Sequence, residues 1–147
     1  MGLFNKIALW FKPLFASARA AEPELHMRVV NLTRGTVLAS RLEVADSAAR
    51  RNKGLMGRDG LAAGGGLWIV PCESVHTFGM RFAIDLVYLD RKKRIKKLRK
   101  AVPAMRISAC LSAHSVIELP AGAIAATETA MGDVLEFIEL DETGSEG

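Results

Sequence analysis

Residues 28–33 (RVVNLT), a break at Arg34-Gly35 and residues 36–44 (TVLASRLEV) decide how this chain is read. Both runs are rich in β-branched side chains, and a short break containing Gly between two such runs is what a β-hairpin needs. Within the second run Leu38, Ser40, Leu42 and Val44 fall on one side, and Val37, Ala39, Arg41 and Glu43 on the other. The even-numbered side is the more apolar and is expected to face the core.

The same texture continues outward from this hairpin. Residues 67–70 (LWIV) form a strand-like run stopped by Pro71, and residues 84–89 (IDLVYL) and 115–119 (SVIEL) are two more. A turn at Gly132-Asp133 leads into a last strand over 134–140. Residues 94–99 read as a basic strand whose only apolar residues, Ile95 and Leu98, are three apart and do not suit one face. An edge position fits such a strand, because lysines there discourage pairing between molecules. Helices are few. Asp46 and Ser47 are N-cap candidates for one over 48–56, and the alanine-rich residues 121–130 suggest another. Gly64-Gly65-Gly66 reads as a flexible connector. The expectation is a mainly β (α+β) chain: one antiparallel β domain, barrel-like or a sandwich, with one or two short helices.

A length of 147 residues fits one domain with a single core. Domain boundaries are expected at residues 1–26 (leader or tail), 27–140 (globular) and 141–147 (acidic tail). Residues 91–100 (RKKRIKKLRK) carry eight bases and no acid, which turns a balance of −4 into the observed +4. Basic character so localised, with no aromatic inside it, makes nucleic acid an unfavoured partner. Two cysteines are too few for a disulfide framework. No run is long enough to span a membrane as a helix. Residues 1–20 resemble a signal peptide with a small-x-small site at Ala18-Arg19-Ala20, but Lys12-Pro13 splits the apolar stretch. A cytoplasmic location is the first expectation, and a periplasmic or exported one the alternative if this segment is a signal.

Three segments resemble a known family in order and spacing: Gly54-Leu55-Met56-Gly57-Arg58, residues 76–85 (HTFGMRFAID) and residues 116–122 (VIELPAG). They are similar to the bacterial and archaeal family of domain of unknown function 192, over about residues 28–139, with Gly132-Asp133 matching its closing turn. The resemblance implies a β-rich domain with one or two short helices and no established activity. This chain departs from the family pattern at Ala83, where proline commonly precedes the Ile-Asp pair, and in its basic 91–100 run.

The stretch 76–85 mixes His76, Thr77, Arg81 and Asp85 with Phe78 and Met80, directly before a clean apolar run. Two readings stand. One is a structural network tying loops to the sheet. The other is a binding site for a small anionic ligand or a peptide segment, with Arg58 and Glu118 approaching from other segments. In the binding reading Arg81 supplies charge, His76 and Thr77 directional hydrogen bonds, and Asp85 orients Arg81, with Phe78 and Met80 as an apolar wall. The competing class is a metal- or cysteine-dependent enzyme using Cys72-x-x-x-His76 and Cys110-x-x-x-His114. On an extended strand, residues four apart lie about 13 Å from each other, so each pair would need a turn to share an ion. Binding is the expected role, and no cofactor is expected.

Overall fold

A computed structural model describes residues 23–143 and 146–147; the leader readings of residues 1–22 lie outside the described residues. Strand β1 (His26–Asn31) and strand β2 (Thr36–Ala45) form the expected antiparallel hairpin. Asn31 closes its turn, taking the Gly35 N–H on its carbonyl at 2.8 Å and the Arg34 N–H on its side chain at 3.1 Å. In β2 the N–H groups of Ser40 and Arg41 both donate to the Gly64 carbonyl. This bulge explains why Leu38 and Ala39 are both buried, where strict alternation would expose one of them.

Helix α1 (Ala48–Lys53) follows, capped by the Ser47 hydroxyl as expected but ending three residues early at Gly54. The α1 connection carries the chain back so that strand β3 (Leu67–Ile69) lies parallel to β2, the one parallel pair in the sheet. The triple glycine is not a flexible connector. A Cβ at Gly66 would stand 2.5 Å from the Glu118 carbonyl oxygen, and one at Gly64 would collide with the Ser40 hydroxyl. These glycines let backbone pack on backbone.

Strands β4 (Ser74–His76), β5 (Ile84–Leu89), β6 (Ile95–Val102), β7 (Ile107–Ala109) and β8 (Ser115–Pro120) come next, then helix α2 (Ala123–Ala126) and strand β9 (Leu135–Leu140). Seven strands form one sheet in the order β6-β5-β8-β3-β2-β1-β9, while β4 and β7 form a separate ribbon. β5 and β8 are central and buried on both faces, which is why they read as near-continuous apolar runs. Val87, Leu89, Ile117 and Leu119 feed one core with Val29, Leu42 and Leu135. Ile84, Leu86, Tyr88 and Val116 feed a second core on the other face, under Val75 of the β4–β7 ribbon. The sheet curls until its two edges meet at the Arg94–Val134 bridge, without closing along their length. The architecture is sandwich-like rather than a closed barrel, and mainly antiparallel.

The basic strand is an edge, as expected. Its register against β5 slips between Tyr88 and Leu89, so Lys96 bulges out and Ile95 and Leu98 both reach the first core. Helix α2 is four residues where ten were expected. Thr127 ends it by returning its hydroxyl to the Ala123 carbonyl at 2.8 Å, and Glu128 turns to a left-handed φ of 53°. Among the described residues no helix is long and apolar enough to cross a membrane.

Candidate functional site

The face of β8 that looks toward the ribbon should be apolar throughout, yet it carries Glu118. Its cross-strand partners are Leu67 on β3 and Leu86 on β5, so the carboxyl is buried between two leucines. One of its oxygens, Oε2, has no hydrogen-bond partner. Burial pushes the Glu118 pKa from 4.5 up to about 7, against a small opposing pull from Arg58. Above this carboxyl opens a cleft of about 280 Å³ between α1, β3 and β4, with Arg51, Met56, Cys72, His76 and Met80 around it.

His76 and Met80 line the same cleft as Glu118. The other residues of the binding reading go elsewhere. Arg58 forms a two-pronged pair with Glu43, at 2.9 and 2.6 Å. Hydrogen bonding to Arg58 lowers the Glu43 pKa despite partial burial. Thr77 is buried: its hydroxyl donates to the Pro103 carbonyl at 2.7 Å and accepts the Arg106 N–H at 2.8 Å, which staples the 76–85 loop to the entry of β7.

Asp85 does not orient Arg81. It is fully buried and accepts the backbone N–H groups of Ala101 (2.8 Å), Gly122 (3.1 Å) and Ile124 (2.9 Å). Period-two alternation turns Asp85 inward with Val87 and Leu89, and Arg81 lies in the preceding loop, where its side chain is 61% exposed. Arg81 pairs instead with Asp59 at 2.5 Å. Phe78 stacks on the His76 ring with centroids 5.2 Å apart, outside the cleft, so Met80 alone of the two supplies apolar wall there.

The two Cys–His pairs do not assemble into one site. Among the described residues, no three His, Cys, Asp or Glu side chains gather closely enough to hold a metal ion. Cys72 and His114 are joined only through backbone, Cys72 N–H to His114 carbonyl at 2.8 Å. Burial raises the Cys72 pKa, and its thiol donates to the Ser74 carbonyl at 3.1 Å. The Cys110 sulfur lies 3.5 Å from the Ser112 hydroxyl. Burial, with Arg91 and Lys93 nearby, lowers the His114 pKa.

Sequence reasoning missed Arg51 and the ribbon that frames the cleft. The Arg51 guanidinium turns in from α1 to the carbonyls of Asp46 (2.6 Å) and Val70 (3.4 Å). Three-residue strands such as β4 and β7 are too short for periodicity to mark.

The model of the DUF192 family, described as Uncharacterized ACR, matches residues 29–137. A UPF0127 protein of Thermococcus sibiricus is 30% identical over 122 residues, which covers 80% of this chain and 78% of that one. A UPF0127 protein of Pyrococcus furiosus is 30% identical over 114 residues, covering 74% of this chain and 97% of its own. Two solved structures share the fold. One from Sinorhizobium meliloti, described only provisionally as a transcription regulator, has a TM-score of 0.70 at 18% identity and covers 87% of this chain and 100% of its own. The other, a protein of unknown function from Novosphingobium aromaticivorans, has a TM-score of 0.67 at 20% identity, covering 82% and 94%. With the motifs, the family match and the shared fold in agreement, this chain belongs to the DUF192 family.

Proposed function

We propose that the domain is a binding module whose ligand, a small anion or the acidic end of a peptide segment, enters the cleft above Glu118. The observation that carries this reading is the unpartnered, buried Glu118 carboxyl at the floor of that cleft. A buried polar atom without a partner is costly, and a ligand atom that supplies the partner recovers that cost. Below pH of about 7 Glu118 is neutral and donates, so the matching group on the ligand is an acceptor such as a carboxylate. Arg51 and Lys53 on the same cleft supply positive charge. Met56 and Met80 supply flexible apolar walls that adapt to a short aliphatic chain. His76 adds a directional hydrogen bond at the rim.

The test is a titration of isotope-labelled protein with short-chain carboxylates, from acetate to hexanoate, near pH 6, followed by amide shifts. Binding is expected to move the amides of Cys72, His76, Met80 and Glu118 together, and Glu118→Leu is expected to abolish the effect. Shifts scattered over the surface, or unchanged in Glu118→Leu, would overturn the reading. Arg81→Ala locates the site. Its exposed pair contributes about 1 kcal/mol or less to stability, so the variant folds. Full binding by that variant is expected, and loss of binding would return the site to the 76–85 loop.

A further inference from the structure

The β4–β7 ribbon is amphipathic in the wrong sense for a soluble surface. Along β7 and its flanks the inward side carries Ser108, 4% exposed, and the half-buried Cys110. The outward side carries Met105, Ile107, Ala109 and Leu111, with Met105 64%, Ile107 68% and Leu111 81% exposed. Within β7 alternation of period two puts Ile107 and Ala109 on one side, and Met105 in the bend before it and Leu111 in the turn after it add to the exposed apolar patch. Across the ribbon stand His76, opposite Ile107, and Phe78, stacked on His76. A cluster of large exposed apolar side chains on a folded surface marks an interaction site.

Cations surround the patch. Lys97 of the basic edge strand donates to the Ala109 carbonyl at 2.6 Å, which fixes β6 alongside β7. Arg91 and Lys92 share a cleft with Ser112 and Ala113, just past Leu111, and Arg106 is exposed between Met105 and Ile107. Arg99, paired with Leu86 of the second core, is on the ribbon side of the same edge strand. Asp90 is nearby, but its carboxylate is spent on the N–H groups of Lys92 and Arg94.

We propose that this face docks the domain on an anionic phospholipid surface, with Met105, Ile107 and Leu111 entering the interfacial region and the surrounding cations meeting the headgroups. The inference is independent of the Glu118 cleft. A second copy of the chain is a poor occupant, because pairing two β6 edges would set like charges against each other. A nucleic acid meets the cations but offers nothing to protruding aliphatic tips. A lipid surface accepts both, since apolar insertion and attraction to anionic headgroups add.

The full chain is sedimented with vesicles of phosphatidylcholine alone and of an equal mixture with phosphatidylglycerol. Binding to the mixed vesicles is expected, weak or absent on phosphatidylcholine, and reversed near 1 M salt, where screening acts within about 3 Å. Ile107→Ser/Leu111→Ser is expected to weaken it about tenfold or more, and Arg91→Glu/Lys92→Glu, beside Leu111, to a similar degree. Met131→Ser, which removes an equally exposed apolar side chain elsewhere, serves as the control and leaves binding unchanged. All five substituted surface positions are exposed, so melting curves should match the parent. Undiminished binding by Ile107→Ser/Leu111→Ser would assign any affinity to another part of the chain and overturn the proposal. So would association with polyglutamate that is as tight as with vesicles and blind to the apolar substitutions.

Discussion

Glu118 lies between Leu67 and Leu86 with one carboxyl oxygen unpaired, and this single residue gives the domain a pH dependence of unusual direction. Its native pKa of about 7 is above the ordinary 4.5, so the folded protein holds a proton that the unfolded chain releases. The Glu118 contribution to stability is then greatest below about 4.5, falls as pH rises and levels off above about 7, a span worth about 3 kcal/mol. Glu43 and Asp133, with lowered pKa values, contribute in the opposite sense at acid pH. Glu118→Gln is expected to remove this slope, so that urea unfolding near pH 5 and near pH 8 differs less in the variant than in the parent. An unchanged slope would show the carboxyl to be solvated after all. Glu118, His76 and Met80 stood out in the sequence as polar and sulfur-bearing residues beside apolar runs, and they line one cleft. The role of Asp85 was not. Its partners are backbone N–H groups 16, 37 and 39 residues away, and backbone amides leave no trace in residue type.

Helix α2 begins at Gly122, which has no side chain to cap it. Asp85, projecting from β5, accepts the Gly122 and Ile124 N–H groups and so caps the helix from another element. It also accepts the N–H of Ala101, held at a φ of 48° near the end of β6. Three elements thus meet at one carboxylate. Asp85→Ala leaves three N–H groups without an acceptor and is expected to cost about 3–5 kcal/mol, with Asp85→Asn costing less, by chemical denaturation. A loss below about 1 kcal/mol would mean that water replaces the carboxylate freely. Strand positions were legible from β-branched runs, and the β6 edge from its lysines. Helix lengths were not, since Gly54 and the Thr127 back-bond act through local backbone geometry that alanine content conceals. The spacing of Ile95 and Leu98 looked wrong for a strand only because a bulge has no signal of its own.

Across the whole molecule, the sheet's two edges meet where Asp133 accepts from Asn31 (2.9 Å), Arg34 (3.0 Å) and the Ala130 N–H (2.9 Å). Burial works to raise the Asp133 pKa, but these bonds outweigh it and hold it below the usual carboxylate range. The seam amides beside it are Ile95, Gly132 and Leu135, which bond across the two edges. Asp133→Asn is expected to speed hydrogen exchange at these three while the β5–β8 ladder stays protected; uniform acceleration would show that the seam opens only with the whole sheet. The mainly β class was legible from the strand runs, whereas the parallel β2–β3 pair and the partial closure depend on long-range pairing that no window of sequence contains. The strand order has a kinetic consequence. β8 lies between β5–β6 and β3–β2–β1–β9, so before it inserts, the described chain holds two ladders joined only by the short seam at the Arg94–Val134 bridge. Each can form from its own hairpin early, but neither core is covered until residues 115–120 slide between them. That insertion, a non-local step with a large entropic barrier, is the event expected to set the folding rate.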